Sequence, residues 1–198
     1  MTQVVRIIKG VPKLLKTIKI VSELPSSLED NTEYIVGDTN LIDITGLNGN
    51  NARLWQLVIN GVAVGTATAT YRLGMQFNGI STAYTSTNSV ITHAGSASYQ
   101  ASTTEMIIGQ VSTVNTSAPV VFSSNVVITP LVLGANVFRQ YTANGANART
   151  STTYSHTNSG GFWRDASTNI TSLQIVTESP STINFAVGTT IELLQLEK

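Results

Sequence analysis

The chain contains two histidines, His93 and His156, and a hydrolase built on either would need a nucleophile on one side and an orienting acid on the other. Ser155 directly precedes His156, but no serine sits in the small-residue elbow that presents a nucleophile above a sheet. Acids near either histidine are scarce, so both read as surface residues in Ser/Thr-rich loops. A glycosidase needs two carboxylates flanking a sugar bond. Beyond Asp43 the acids are Glu105, Asp165, Glu178, Glu192 and Glu197. A fold could bring Glu105 and Asp165 together, but nothing in their spacing directs it, and solvated acids at strand edges are the simpler reading. Without cysteine there is no disulfide or thiolate metal site. The run ASTNITS lacks the carboxylates of a calcium loop, and no GxxxxGK[ST] phosphate loop exists. The expectation is a protein that is not an enzyme and takes no cofactor or metal.

Residues that could make contacts are more evident. Arg6, Lys9, Lys13, Lys16 and Lys19 are five of 11 basic residues, and no acid precedes Glu23. They recur every three or four positions among Val4, Val5, Ile7, Ile8, Val11, Leu14, Leu15 and Ile18. On a helix such spacing would set several charges on one side and the aliphatics on another. Gly10 and Pro12 interrupt that pattern, and TIKIV alternates as a strand would, so an extended arm is equally compatible. Aromatics are not interleaved with the lysines, which argues against nucleic acid and favours docking of this segment on a partner protein. Tyr71, Tyr84, Tyr99, Tyr141, Tyr154, Phe162 and Trp163 flank or occupy polar stretches. Of these, Tyr84, Tyr99, Tyr154 and Trp163 are the candidate surface-binding aromatics, able to stack on sugar or anchor an interface. Trp55, in an apolar run, is a core residue. The sequons at Asn115 and Asn169 are expected by chance in so Asn/Thr-rich a chain.

The elements carrying these residues are strands. LWQLVING (54–61), ATATYRLGMQFNG (67–79), EMIIGQVSTV (105–114), PVVFSSNVVITPLVL (119–133), NVFRQYTA (136–143), TSLQIVTE (171–178) and TTIELLQL (189–196) are strand-forming runs, and no helical period follows residue 22. Asn48-Gly49, Asn60-Gly61, Asn78-Gly79 and Asn144-Gly145 are hairpin-turn signals. The stretch 81–104 holds 12 Ser or Thr in 24 positions and reads as a solvated loop or exposed strand pair; 142–161 reads the same way. Roughly eight strands spaced like this predict a β-sandwich or jelly roll.

Charge adds two expectations. Only 11% of residues are charged and the formal net charge is zero, against about 25% in an average soluble domain. Large weakly charged faces favour self-association and fit a protein packed in an assembly. No run of about 18 apolar residues is present, so membrane insertion is not expected. Six of the 11 acids fall between Glu23 and Asp43, and none lies between Asp43 and Glu105. That asymmetry divides the chain into an N-terminal arm and linker, residues 1–39, and a domain, residues 40–198, expected to fold without the arm.

Three segments resemble one family. LPSSLEDNTEYIVGD (24–38) is similar to the linker before the main domain of many phage fibre and appendage proteins. YRLGMQFNGISTAY (71–84) is similar to a strand and turn of small phage jelly-roll proteins. FWRDASTNITSLQIVTESPSTINFAVGTTIELL (162–194) resembles their closing hairpin. The resemblance, to jelly-roll virion proteins of tailed bacteriophages, covers about a third of the chain. It implies an antiparallel jelly-roll-like β-sandwich in a virion, assembled in the host cytoplasm, as a homo-oligomer and most readily a trimer. The implied role is a capsid decoration, fibre or tail-appendage component, held to other virion proteins by the arm. The alternative is a receptor-binding module that holds host glycan on its aromatic loops; a glycan-cleaving enzyme is a distant third.

Overall fold

The structure is a computed structural model that describes residues 12–92, 94–95, 97–113, 118–130, 138–150, 153–165, 167–178 and 182–197. In chain order the strands are β1 (Lys13–Val21), β2 (Thr32–Val36), β3 (Leu41–Ile44), β4 (Ala52–Gly65), β5 (Ala69–Phe77), β6 (Tyr84–Thr92) and β7 (Ala97–Ser102). They continue as β8 (Met106–Thr113), β9 (Val120–Ile128), β10 (Arg139–Thr150), β11 (Thr153–Trp163), β12 (Leu173–Thr177), β13 (Ile183–Phe185) and β14 (Thr190–Glu197). A single turn of 3₁₀ helix, Gly49–Asn51, precedes β4.

The expected sandwich is present, with unequal layers. The large sheet has ten strands in the order β2-β1-β14-β4-β9-β10-β11-β6-β7, with β13 beside β4; the small sheet runs β3-β12-β5-β8. All pairings are antiparallel except β1 with β2. Strict alternation drives the layering. β9 reads buried-exposed along nearly its whole length, placing Val120, Phe122, Val126 and Ile128 inward and Val121, Ser123 and Asn125 outward. The core between the sheets holds Trp55, Leu57, Phe77, Tyr84, Trp163 and Phe185, all 0% exposed.

The division at residue 39/40 does not appear as a break in the fold. β1 lies inside the large sheet, hydrogen-bonded to β14 and β2, and Ile18 and Ile20 are 1% and 2% exposed in the core. Each such burial contributes about 1.5–3 kcal/mol, so β1 packs as part of the sandwich. Parallel pairing of β1 with β2 also accounts for the charge asymmetry. It brings Lys16 Nζ to 2.6 Å from Glu33 Oε2 and Lys19 Nζ to 2.7 Å from Glu29 Oε1.

The Ser/Thr-rich stretches are not loops. Residues 84–92 and 97–102 form β6 and β7, and 142–150 and 153–161 lie in the paired strands β10 and β11. Their inward positions include small polar residues: Ser86, Asn88, Asn147, Ser155 and Thr157 are buried, as is Ser124 on β9. Ser86, Ser124, Asn147 and Ser155 all bond to β8. That strand is the edge of the small sheet, yet every residue of it is buried, because it lies across β9, β10, β11 and β6 of the large sheet. Its free edge needs donors and acceptors there. Ile107 N–H donates to Ser86 Oγ at 2.7 Å, Tyr141 Oη–H donates to the Ile107 carbonyl at 3.1 Å, and Ser124 Oγ–H donates to the Ile108 carbonyl. Ser86 and Tyr141 are joined as well; since Tyr141 spends its proton on Ile107, Ser86 is the donor. Burial pushes the Tyr141 phenol up to about 12, the Ser86 and Ile107 hydrogen bonds opposing.

Candidate binding face

The strand order sets up one surface from the sequence outward. On six consecutive strands, β4, β9, β10, β11, β6 and β7, the residues alternating with the core point away from the small sheet. They include Gln56, Val58, Asn60, Val62, Val121, Ser123, Asn125, Thr142, Asn144, Tyr154, His156, Asn158, Phe162, Thr87, Ile91 and Tyr99. None of the described outward side chains on these strands is Asp, Glu, Lys or Arg. Among the described outward side chains, the nearest charges along the sheet are Glu192 on β14, which pairs in register with Val58, and Lys19 on β1. Cross-strand register places Asn125, Asn144 and Asn158 directly opposite one another on β9, β10 and β11, and Ser89 and Tyr99 extend the row on β6 and β7. The amide row is tied to β4 by Gln56 Nε2, which donates to Asn125 Oδ1 at 3.0 Å.

At one end the face is concave. A groove of about 560 Å³ is lined by Asn60, Val62, Val121, Ala146, Tyr154 and His156, among others. The Tyr154 and His156 rings meet edge-on with centroids 6.2 Å apart. Exposed apolar groups are spread over the whole face: Tyr99 is 84% exposed, Val121 60%, Ile91 49%, Tyr154 48% and Phe162 41%. Asn60-Gly61 and Asn144-Gly145 lie mid-strand in β4 and β10 and are not turns. Both glycines are required on the core side: a Cβ at Gly61 would fall 2.0 Å from Phe122 Cζ, and one at Gly145 2.7 Å from Thr157 Oγ1. Asn78-Gly79 is the turn expected, with φ of 53° and 66°, and Asn48 instead caps the 3₁₀ turn.

The candidate aromatics separate. Tyr99 and Tyr154 lie on the outward face; Tyr84 and Trp163 are fully buried and cannot contact a ligand from this position. The Tyr84 ring stacks on Trp163 at 6.3 Å, and Phe77 meets Trp163 edge-on at 5.1 Å. Phe77 N–H donates to Tyr84 Oη at 2.7 Å, and burial drives the Tyr84 phenol far above its ordinary value, that hydrogen bond opposing. Arg139 lies over the Trp163 ring, 4.9 Å from its centroid. Its guanidinium donates to the carbonyls of Pro130, Asp165 and Thr168, pinning the loop after β11. Burial lowers the Arg139 pKa while Asp165 opposes.

The basic residues separate too. Arg6 and Lys9 lie outside the described residues, as does His93. Lys13 and Lys16 line a cleft of about 640 Å³ with Leu15, Leu47, Asn48 and Gln195. Lys19, three residues beyond Lys16 on a strand, points to the other side of the sheet and pairs with Glu29. A strand thus replaces the helical stripe, and the partners of Lys16 and Lys19 are acids of the same chain. Glu105 and Asp165 do not form a carboxylate pair. Glu105 sits against the backbone of Gly74, 3.8 Å from Arg72 Nε; burial raises its pKa, Arg72 opposing and Glu178 adding. Burial pushes the Asp165 carboxyl up, but hydrogen bonds from Thr168 and Ser167 hold it down at about 2. Among the described residues no three His, Asp or Glu side chains cluster as metal ligands, and no helix is long and apolar enough to cross a membrane.

The face on which no described side chain is charged was not legible in the sequence because it exists only across strands. Its signal was nonetheless present: every second residue of VVFSSNVVI, and of the stretch 140–148, is uncharged. Compared with protein-family models, curated proteins and solved structures, the chain finds no match.

Proposed function

We propose that this chain works by contact rather than catalysis, as a structural module of a larger assembly, and specifically as a virion component of the tailed-phage kind its sequence resembles. The observation that carries the proposal is the six-strand face on which no described outward side chain bears a formal charge, in a chain whose net charge is zero. A free protein keeps such a face solvated only by amides and hydroxyls; an assembled one buries it. The segments that carry the resemblance also pack together, which supports reading them as one unit. Asn78 Oδ1 accepts from the backbone N–H groups of Thr171 and Ser172 at 2.8 and 3.1 Å. Val187 N–H donates to Asp38 Oδ1 at 3.3 Å. Particles purified on a density gradient from cells producing the chain should contain it in stoichiometric amounts by mass spectrometry. Its complete recovery in the particle-free fraction would overturn the proposal.

A second reading is favoured by the groove beside Tyr154. Its aromatic wall, neutral amides and volume suit a neutral sugar, whose C–H face stacks on a ring. On that reading Tyr154→Ala should abolish retention on immobilised neutral oligosaccharide while leaving the melting temperature unchanged.

A further inference from the structure

We infer that the outward face of β4-β9-β10-β11-β6-β7 is a self-association surface whose occupant is a second copy of this chain, face against face about a two-fold axis near Asn144. The inference rests on the reading of the chain as an assembly module and gives it a specific partner. Charge is the first argument. A phosphate polymer or an acidic protein would need basic groups on this face, and a basic protein would need acidic ones; the described side chains supply neither. A copy of the same face brings no charge among its described side chains, and the zero net charge of the chain removes long-range repulsion between copies.

Size is the second argument. Six strands about 4.8 Å apart and about eight residues long at 3.3 Å each give a face of roughly 24 by 26 Å, or about 600 Å² in projection. That approaches the about 800 Å² each partner contributes to a stable interface. The mixture is also right. Tyr99, Ile91, Tyr154, Val121 and Phe162 are distributed among amides and hydroxyls instead of gathered in one patch, as in interfaces between separately folded partners.

Symmetry is the third argument. An isologous contact sets a surface against itself. A row of amides meets its own copy without mismatch, because each amide carries both donors and an acceptor. Asn125, Asn144 and Asn158 form that row at the centre of the face, and all three are exposed. A two-fold pair then takes the place of the three-fold assembly expected from the sequence.

The test is sedimentation velocity on the full chain. Wild type should show concentration-dependent association. The double variants N144D/N158D and N144K/N158K should each associate at least tenfold more weakly, because a two-fold axis sets like charges together. An equimolar mixture of the two should regain association, and Gln174→Asp on the opposite side of the sandwich should change nothing. Unaltered melting temperatures show that folding is intact. A wild type that stays monomeric into the millimolar range overturns the inference, and so does association indifferent to both double variants. Saturable binding of a neutral oligosaccharide panel by a monomer, lost in Tyr154→Ala, overturns it in favour of a sugar. Any of these results leaves the particle-incorporation result standing separately.

Discussion

The two outward faces of the sandwich treat charge in opposite ways. The small sheet turns outward Arg72, which holds Glu178 at 2.9 Å and Glu105 at 3.8 Å, along with Asp43, Gln76 and Gln174. On β4, β9, β10, β11, β6 and β7 the large sheet's described outward side chains are amides, hydroxyls, aliphatics, aromatics and one histidine; its strands β1, β2 and β14 carry charged residues. On the small sheet Arg72, Glu105 and Glu178 are engaged with one another. Arg72 also donates to the Ala101 carbonyl at 3.1 Å, and Gln76 donates to the Thr104 carbonyl at 3.1 Å, tying the β7–β8 turn to β5. Charged groups that stabilise one fold are engaged and specific; a surface without them is available and self-compatible. The contrast teaches that the low charge of this chain is concentrated on one side of the sandwich.

The comparison breaks most completely if the large sheet cannot form. Removing residues 1–38 strips β1 and β2, exposes the edge of β14 and deletes Ile18 and Ile20 from the core. We expect no cooperative thermal transition from that truncation, read by circular dichroism; an intact transition would show that β14 can serve as the sheet edge. Next comes the clamp at the end of the β10–β11 hairpin. Arg139→Ala leaves three carbonyls without their donor and a void beside Trp163, and should cost about 3–5 kcal/mol in urea unfolding. The hydroxyls beneath the face rank third. Tyr141→Phe removes the donor to the Ile107 carbonyl and should cost about 1–2 kcal/mol, whereas Thr142→Ala, one residue away and outward, should stay within about 0.5 kcal/mol.

Two carboxylates sharpen the comparison through pH, with opposite signs. Glu105 has a raised pKa in the folded chain and so binds a proton more readily there than when unfolded. Its contribution is full below the unfolded value of about 4.3 and declines as pH rises through the folded one. Glu105→Gln should flatten that decline in equilibrium unfolding followed across pH. Asp165, held at about 2, contributes above its unfolded value of about 3.9, and the contribution disappears as pH falls toward 2. Asp165→Asn should weaken the protein at neutral pH by about 1 kcal/mol, allowing for solvent screening, and by progressively less in acid. The smallest effect belongs to the large sheet's outward face. Asn125→Asp should leave unfolding unchanged within about 0.5 kcal/mol at any pH above 5.

Much of this architecture was legible in the residues. Period-two alternation in YRLGMQF, VVFSSNVVI and LQIVT located β5, β9 and β12, because one face of each is buried and the other is not. Asn78-Gly79 announced its turn, since both residues adopt positive φ there. The candidate face was legible only in part, through Tyr99 and Tyr154. Ser86, Asn147 and Ser155 look solvated in sequence, and their burial follows from β8 of the other sheet, whose Ile107 N–H, Ser112 and Gln110 they bond.

By itself, then, the sequence determined the all-β class, most strand positions and the scarcity of charge, because alternation and composition are local properties. Only the tertiary structure decided that residues 13–21 form an internal strand, that Tyr84 and Trp163 are core while Tyr99 and Tyr154 are surface, and that two Asn-Gly pairs lie mid-strand. It also decided that the uncharged positions of six strands share one face. Those outcomes depend on which strand lies beside which, and pairing between residues as far apart as Lys13 and Gln195 is set by the closure of the whole sandwich rather than by any neighbouring residue.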